Sequence, residues 1–532
     1  MIAALTMTAC SDDSFAGDPA KDWSATTECF TPTEESGYNT YWKPAVGRVG
    51  DPMPFYDKKA GDFKVLYLQE FDNNDAWCYH PIYGVSTTDG ANYQGLGEVI
   101  PTGKSKDELD AALGTGCAVY NESDGLYYIY YTGHTTREVV MRATSPDFKT
   151  WTKDREWMLR GADNGYSDVD FRDPQVFQDD NGLWHMIIAS NLKFAEYTSE
   201  NLRDWKYDGQ FSCMIWDRML ECPDIFKMGD WWYMVYSEAY RSDWSRKVKY
   251  MMARSLDELK KCFNEGPKWP ADDKEGVLDT RAFYAGKTAS NGTDRYIWGW
   301  TPYRTGTTIH DKNIAVGAES EPNWSGALVC HKLIQHADGT LSVGEVPAMA
   351  EKYSIQTEAK VMASENYASG SVNGNGYVLY SRLGYHNHIS FVVTAGEADK
   401  WGVSFVRGTD ATKYYSLVVN PEWENGRRKV NFEQEGAEGK GFITGADGYI
   451  FPRPADNTYR VDIYTDNSVV VMYINGEYGT TQRIYGLQKN CWSINCYNGN
   501  IKISDVKVCE YLSRQTDSCL FHDNSLFFND NS

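Results

Sequence analysis

The sequence predicts an all-β protein: an N-terminal five-bladed β-propeller followed by a C-terminal β-sandwich. Three observations predict it. Helical periodicity is confined to short stretches such as residues 255–263, while strand-like runs broken by Gly, Asn and Asp turns fill most of the chain. A two-strand unit recurs between residues 51 and 300. After residue 347 that unit stops, and strands follow one another with ordinary turns.

The recurring unit is an apolar strand, a turn with Asp, Asn or Gly, and an aromatic-rich strand. It reads CAVYNESDGLYYIYY at residues 117–131, PQVFQDDNGLWHMIIA at 174–189 and PDIFKMGDWWYMVY at 223–236. A looser copy covers 281–300 (RAFYAGKTASNGTDRYIWGW), and an earlier one covers 51–69 (DPMPFYDKKAGDFKVLYLQ). Copies spaced by roughly 50 to 65 residues suit a four-stranded propeller blade. Five copies therefore predict five blades, with a propeller domain over residues 41–347. The sandwich is expected over 348–512, with strands at 377–382, 388–393 and 469–474, and a loose tail over 513–532. Trp401 and Trp423 are the sandwich's candidates for stacking on a sugar.

Composition narrows the function classes. With 532 residues, 42% of them hydrophobic, the chain can build more than one core, and 24% charged residues do not describe a disordered chain. The net charge of -22, with no long basic stretch, excludes nucleic acid and anionic membrane surfaces as partners. Aromatic residues reach 14%, including 18 Trp and 37 Tyr, which suits sugar stacking and equally suits packing between strands. Twelve cysteines show neither CxxC pairs nor His partners at zinc spacing, so a structural metal is not expected. Cys117 and Cys330 sit in apolar runs and read as buried free thiols.

The first ten residues, MIAALTMTAC, resemble the end of a lipoprotein signal: a short apolar run, small residues, then Cys10, followed by the polar tether Ser11-Asp12-Asp13-Ser14. Residues 1–40 are read as signal remnant and tether. A lipid anchor at Cys10 is the one membrane contact expected, which places the protein in the cell envelope or outside the cell. No apolar run of roughly 18 residues provides a membrane span.

Three acids stand at the starts of repeat units: Asp51-Pro52, Asp173-Pro174 and Glu221-Cys222-Pro223. Equivalent positions of propeller blades face the central channel, so three blades aim carboxylates at one point. A following proline is expected to hold the preceding backbone extended, at Asp51, Asp173 and Cys222. Glycoside hydrolysis needs such a set: one carboxylate attacks the anomeric carbon, while one carboxylic acid protonates the leaving oxygen. The two must occupy different environments. A single acid-Pro pair is an ordinary turn; three in register with a blade repeat point to a site.

Several motifs together resemble glycoside hydrolase family 32, the invertase, inulinase and levanase group. They are Phe171-Arg172-Asp173-Pro174, Glu221-Cys222-Pro223, Leu278-Asp279 with Phe283-Tyr284-Ala285, the RYIWGW strand at 295–300, and WSGAL at 324–328. The resemblance implies that Asp51 is the nucleophile, Glu221 the acid/base and Asp173 the transition-state stabiliser, with Arg172 orienting the carboxylates. It also implies substrate contacts at Gln69, Trp77 and Thr115. The expected substrate is a β-fructofuranosyl glycan, a fructan or sucrose-type oligosaccharide, and no cofactor. The chain departs from the family's usual WMNDPNG motif, carrying Gly50 for the first Asn and Met53-Pro54 for the Asn-Gly. Two alternatives stay open: a five-bladed arabinan- or xylan-type glycosidase, and a non-catalytic glycan-binding lipoprotein with a decayed site.

Overall fold

The computed structural model describes residues 37–71, 80–212, 218–240, 246–265, 275–302, 324–405, 414–423, 427–435, 449–484, 487 and 490–511. Cys10, Trp77, the side chain of Trp423 and the tail from residue 513 lie outside the described residues.

Five four-stranded antiparallel blades follow the five sequence repeats. Blade 2 runs Leu113–Asn121, Leu126–His134, Glu138–Ser145 and Thr152–Arg160. Blade 3 runs Arg172–Gln178, Trp184–Ser190, Lys193–Ser199 and Lys206–Ser212. Blade 4 runs Arg218–Met228, Trp231–Tyr240, Arg246–Ala253 and Glu275–Val277. Each repeat unit is the inner hairpin of a blade. In every one, the turn holds a glycine in the left-handed region (Gly61, Gly125, Gly182, Gly229 and Gly292), where a Cβ would add strain.

Blades 1 and 5 share one continuous sheet. Blade 1 is Met53–Asp57, Asp62–Glu70, Ile82–Thr87 and Gln94–Ile100; blade 5 is Tyr284–Ser290, Arg295–Pro302, Gly326–Gln335 and Leu341–Gly344. The short strand Arg48–Val49 joins them. Val49 pairs with Gly326 of blade 5 on one side and with Gln69 of blade 1 on the other. The ring is thus closed by the segment that leads directly into Asp51.

Apolar side chains from neighbouring blades interlock, so the aromatic second strands are buried on both faces. Met53, Leu66 and Leu68 of blade 1 meet Leu113, Ile129 and Tyr131 of blade 2. Blades 2 and 3 meet through Tyr128, Tyr130, Met186 and Ile188, and blades 3 and 4 through Ile187, Phe194, Ile225 and Met234. Cys117 and Cys330 are buried free thiols, as their apolar contexts predict. The helix expected near 255–263 forms at Leu256–Glu265.

The C-terminal β-sandwich contributes thirteen strands around its own core of Val, Ile, Phe and Trp side chains. Its strands His386–Ala395 and Val469–Ile474 contain the two expected at 388–393 and 469–474, while Ser371–Tyr380 overlaps the one expected at 377–382 and ends two residues earlier. Trp401 is fully buried in that core and has no face free for a sugar. That candidacy is corrected: Trp401 shares one face of its strand with Val403 and Phe405, and all three pack into the sandwich core. Tyr464, Val469, Val471 and Tyr473 of the sandwich share one apolar cluster with Tyr233, Val248, Phe283 and Leu328 of the propeller.

Candidate active site

Four of the five inner strands, those of blades 2 to 5, reach the channel through a break in their ladder. The pairing register shifts between Gly114 and Gly116 in blade 2, Arg172 and Gln175 in blade 3, Glu221 and Asp224 in blade 4, and Tyr284 and Lys287 in blade 5. Such bulges bend a strand and re-aim its side chains. At three of them a non-glycine residue has positive φ: Asp173 at 59°, Cys222 at 50° and Ala285 at 55°. The extended backbone expected before Pro174 and Pro223 therefore does not form. The bulge overrides the proline, at roughly 1–3 kcal/mol of strain per position, and local hydrogen bonds help hold it. The Asp173 N–H donates to Thr132 Oγ1 at 3.1 Å, and Asp173 Oδ2 accepts the Cys222 N–H at 2.9 Å.

The carboxylates have separate sets of partners. Asp51 accepts from Thr115 Oγ1 at 2.6 Å on Oδ2 and from Trp300 Nε1 at 2.8 Å on Oδ1. Glu221 accepts from Tyr284 OH at 2.6 Å on Oε2 and from Arg172 Nη2 at 3.2 Å on Oε1. Asp173 is 3% exposed. Burial pushes its pKa up to about 6; Arg172 and the Cys222 N–H oppose the shift, while Glu221 and Asp51 add to it. Asp51 and Glu221 therefore both lie within electrostatic reach of Asp173.

Arg172 is the hub. Besides Glu221, its Nη1 meets Asp170 at 2.7 Å and Glu138 Oε2 at 3.2 Å. Burial works against its charge, but Glu221, Asp173, Glu138 and Asp170 outweigh it and hold the guanidinium well above the usual arginine range. Glu138 also accepts the Phe171 N–H at 2.7 Å, tying the hub to the strand that carries Asp173. Tyr284 is kept as a neutral phenol by burial and by Glu221. It is a donor to that carboxylate and not a competing acid.

The remaining expected residues differ in placement. Thr115 is brought to Asp51 as described. Gln69 lies across from Val49 in the closing strand, and its Nε2 donates to the Val46 carbonyl at 2.7 Å. Among the described residues, its Oε1 is buried without a hydrogen-bond partner. Trp77 lies outside the described residues. Sequence reasoning did not single out Thr132, Glu138, Tyr284 or Trp300 as site residues. Tyr284 and Trp300 sit inside motifs already quoted, in FYA and RYIWGW, and that was their available signal. Thr132 and Glu138 carry none.

Gly50 has a structural counterpart. A Cβ built there would sit 2.4 Å from two ring atoms of Trp324 and 3.2 Å from the Leu68 carbonyl oxygen. The indole thus covers the backbone where the family's usual motif carries Asn. Trp324 lies with its ring centroid 4.3 Å from His80 and 6.5 Å from Trp300, an aromatic wall beside the nucleophile candidate.

A five-bladed propeller that gathers three carboxylates at one end of its channel, backed by a β-sandwich, defines a class: the propeller scaffold of carboxylate glycosidases. The family model "Glycosyl hydrolases family 32 N-terminal domain" matches residues 42–342, and "GH32, BT1760-like, C-terminal domain" matches residues 339–508. The chain belongs to glycosyl hydrolase family 32. It is 43% identical to a levanbiose-producing levanase of Geobacillus stearothermophilus over 60 residues, 11% of this chain and 15% of that protein. It is 36% identical to a levanase of Bacillus subtilis over 216 residues, 35% of this chain and 28% of that protein. These alignments span well under two thirds of the curated relatives' length. In fold, the chain is similar to a sucrose-6-phosphate hydrolase from Lactobacillus gasseri, with a TM-score of 0.66 at 16% identity, covering 94% of this chain and 97% of that one. It is also similar to a Bombyx mori GH32 beta-fructofuranosidase, with a TM-score of 0.61 at 16% identity, covering 94% and 99%.

Proposed function

We propose that the chain is a retaining glycoside hydrolase that cleaves β-fructofuranosyl linkages in fructans or sucrose-type oligosaccharides. The observation that carries this reading is the division of partners between the two reacting carboxylates. Asp51 is held by two neutral donors, Thr115 and Trp300, and Glu221 by a cation and a phenol, Arg172 and Tyr284. Unequal surroundings are what a nucleophile and an acid/base need.

In this mechanism an Asp51 carboxylate oxygen forms a bond to C2 of the fructosyl unit as the bond from C2 to the leaving oxygen breaks. Glu221 delivers its proton to that oxygen. It then takes a proton from water as the water oxygen displaces Asp51, which restores both groups and releases fructose with retained configuration. Asp173 stabilises positive charge on the ring in both transition states. Retention implies reacting carboxyl groups about 5–5.5 Å apart. Gln69 supports the loop that carries Asp51, Trp324 lines the sugar's apolar side, and Trp77 is kept as a further substrate contact.

The same proposal includes a lipid anchor at Cys10 and a place in the cell envelope or outside the cell. It rests on the apolar run and small residues before that cysteine. Palmitate labelling of the expressed full chain, lost in Cys10→Ala, tests it.

Sugar release from levan, inulin, sucrose, arabinan and xylan by the full chain, Asp51→Ala and Glu221→Ala tests the reaction. Fructose or fructo-oligosaccharides released by wild type and lost in both variants is the expected result. Pentose release would move the chain to the arabinan- or xylan-type reading. Binding without release from any glycan would mean a site kept for recognition.

A further inference from the structure

Beyond the carboxylates, the five inner strands run on and enclose a second space. It is a chamber of about 440 Å³ along the channel axis, lined by residues further along the inner strands that carry the site and by Arg295 of the neighbouring strand. Gln175, Asp224, Lys287, Thr288 and Arg295 form the polar part of its wall. It reaches solvent at the opposite end of those strands, where its lining residues Gln178 and Lys227 are exposed.

The charges inside do not balance. Asp224 is buried, and neutral donors occupy its carboxylate: Gln175 Nε2 at 3.2 Å on Oδ1, then Thr288 N at 2.7 Å and Thr288 Oγ1 at 2.6 Å on Oδ2. Lys287 is 3% exposed, and its Nζ donates to the Gly116 carbonyl at 2.9 Å. Arg295 donates to Thr288 Oγ1 at 2.8 Å and lies 4.0 Å from the centre of the Phe226 ring. Among the described residues, neither Lys287 nor Arg295 forms an ion pair with a carboxylate. Lys227 is matched by Asp180 at 2.6 Å and leaves the sum unchanged.

Two cations therefore line a chamber with one carboxylate: Arg295 and Lys287 both attract Asp224 through space without contacting it, and one positive charge is left over. Burial lowers Arg295 only to about 10, so it stays charged at neutral pH. The surplus buried charge is costly, and a mobile counter-ion of opposite sign relieves it. One surplus positive charge favours a monovalent ion over sulfate or phosphate. The polar wall and open end give such an ion water-filled access.

We propose that this chamber binds a small inorganic anion of the halide class, held by Lys287 and Arg295, at a site separate from the sugar-facing carboxylates. The two sites share a strand. The Gly116 carbonyl held by Lys287 adjoins Thr115, whose hydroxyl holds Asp51.

Thermal unfolding of the full chain tests this, with sodium gluconate replaced stepwise by sodium chloride at constant ionic strength. Wild type, Lys287→Met and Arg295→Met are compared. The expected result is a saturable rise in Tm of about 2 °C or more in wild type, absent from both variants. Crystals of wild type soaked in sodium bromide decide the matter should either variant fail to fold. An anomalous peak in the chamber within hydrogen-bonding reach of Lys287 Nζ supports the proposal. No chloride-specific rise, a rise retained in both variants, or a chamber holding water alone in the bromide crystals overturns it.

Discussion

Asp173 carries a charge in a place that resists it. Burial raises its pKa to about 6, so above that pH the folded protein holds an ionised carboxylate that the unfolded chain tolerates better. The penalty amounts to about 3 kcal/mol, fully present above pH ~6 and removed as pH falls through that value toward ~4. Asp173→Asn keeps an oxygen for the Cys222 N–H and removes the charge. The variant is expected to gain on the order of 1–3 kcal/mol over wild type at pH 7.5 and nothing at pH 4, read from urea unfolding at both values. Its sugar release should fall by about 100-fold or more, since the lost charge acts on the transition state. An Asp173→Asn protein no more stable than wild type at pH 7.5 would show that the carboxylate is not strained. Tyr284→Phe probes a different step. It strips Glu221 of its 2.6 Å donor, leaving Arg172 alone to aim the carboxylate. The expected effect is a fall in kcat of about 10- to 100-fold with KM little changed, measured on sucrose or a fructo-oligosaccharide.

At the scale of strands, the repeat was legible because alternation, turn glycines and aromatic second strands recur where hairpins must bury both faces. The bulges were not. An acid-Pro pair announces a bend, but left-handed φ at Asp173 and Cys222 goes with hydrogen bonds to other blades, from Asp173 N–H to Thr132 and from Cys222 N–H to Asp173, 41 and 49 positions away. Glu138 was illegible for the same reason: its partner Arg172 lies 34 residues away on the next blade, and nothing near Glu138 marks it. The exchange of the family's Asn for Gly50 was visible as a departure, while its cause, the Trp324 ring over the backbone, was not. That packing makes a prediction. Gly50→Asn forces a Cβ into the indole and should destabilise the chain by about 1–3 kcal/mol. In a Trp324→Ala background the same substitution should cost markedly less, a non-additivity readable as a double-mutant cycle of Tm or urea midpoints. Equal costs in both backgrounds would mean that the clash is relieved elsewhere.

Across the whole molecule, propeller and sandwich are joined by polar clamps as well as apolar contact. Asp279, fully buried, accepts from Thr280 N at 2.6 Å, Thr481 N at 2.8 Å and Thr481 Oγ1 at 2.5 Å, and meets His331 Nε2 at 3.1 Å. His331 Nδ1 in turn meets Tyr473 OH at 2.7 Å. A second clamp runs the other way: Asp466 of the sandwich accepts the backbone N–H groups of Asn39, Thr40 and Tyr41 at 2.9, 2.6 and 2.9 Å, pinning the segment that leads into the closing strand. Asp279 was legible only as a letter in the LD motif, because its partners come from the other domain some 200 residues later. Removing it leaves Thr481 N–H, Thr481 Oγ1 and His331 buried without their acceptor. Asp279→Ala should therefore cost about 3–5 kcal/mol, seen as a lowered Tm in scanning calorimetry. Because the apolar cluster spans both domains, wild type should unfold in a single transition. If Asp279→Ala splits that transition in two, the clamp is what couples the domains. If the transition stays single and only moves down, the shared apolar cluster couples them and the clamp adds stability alone.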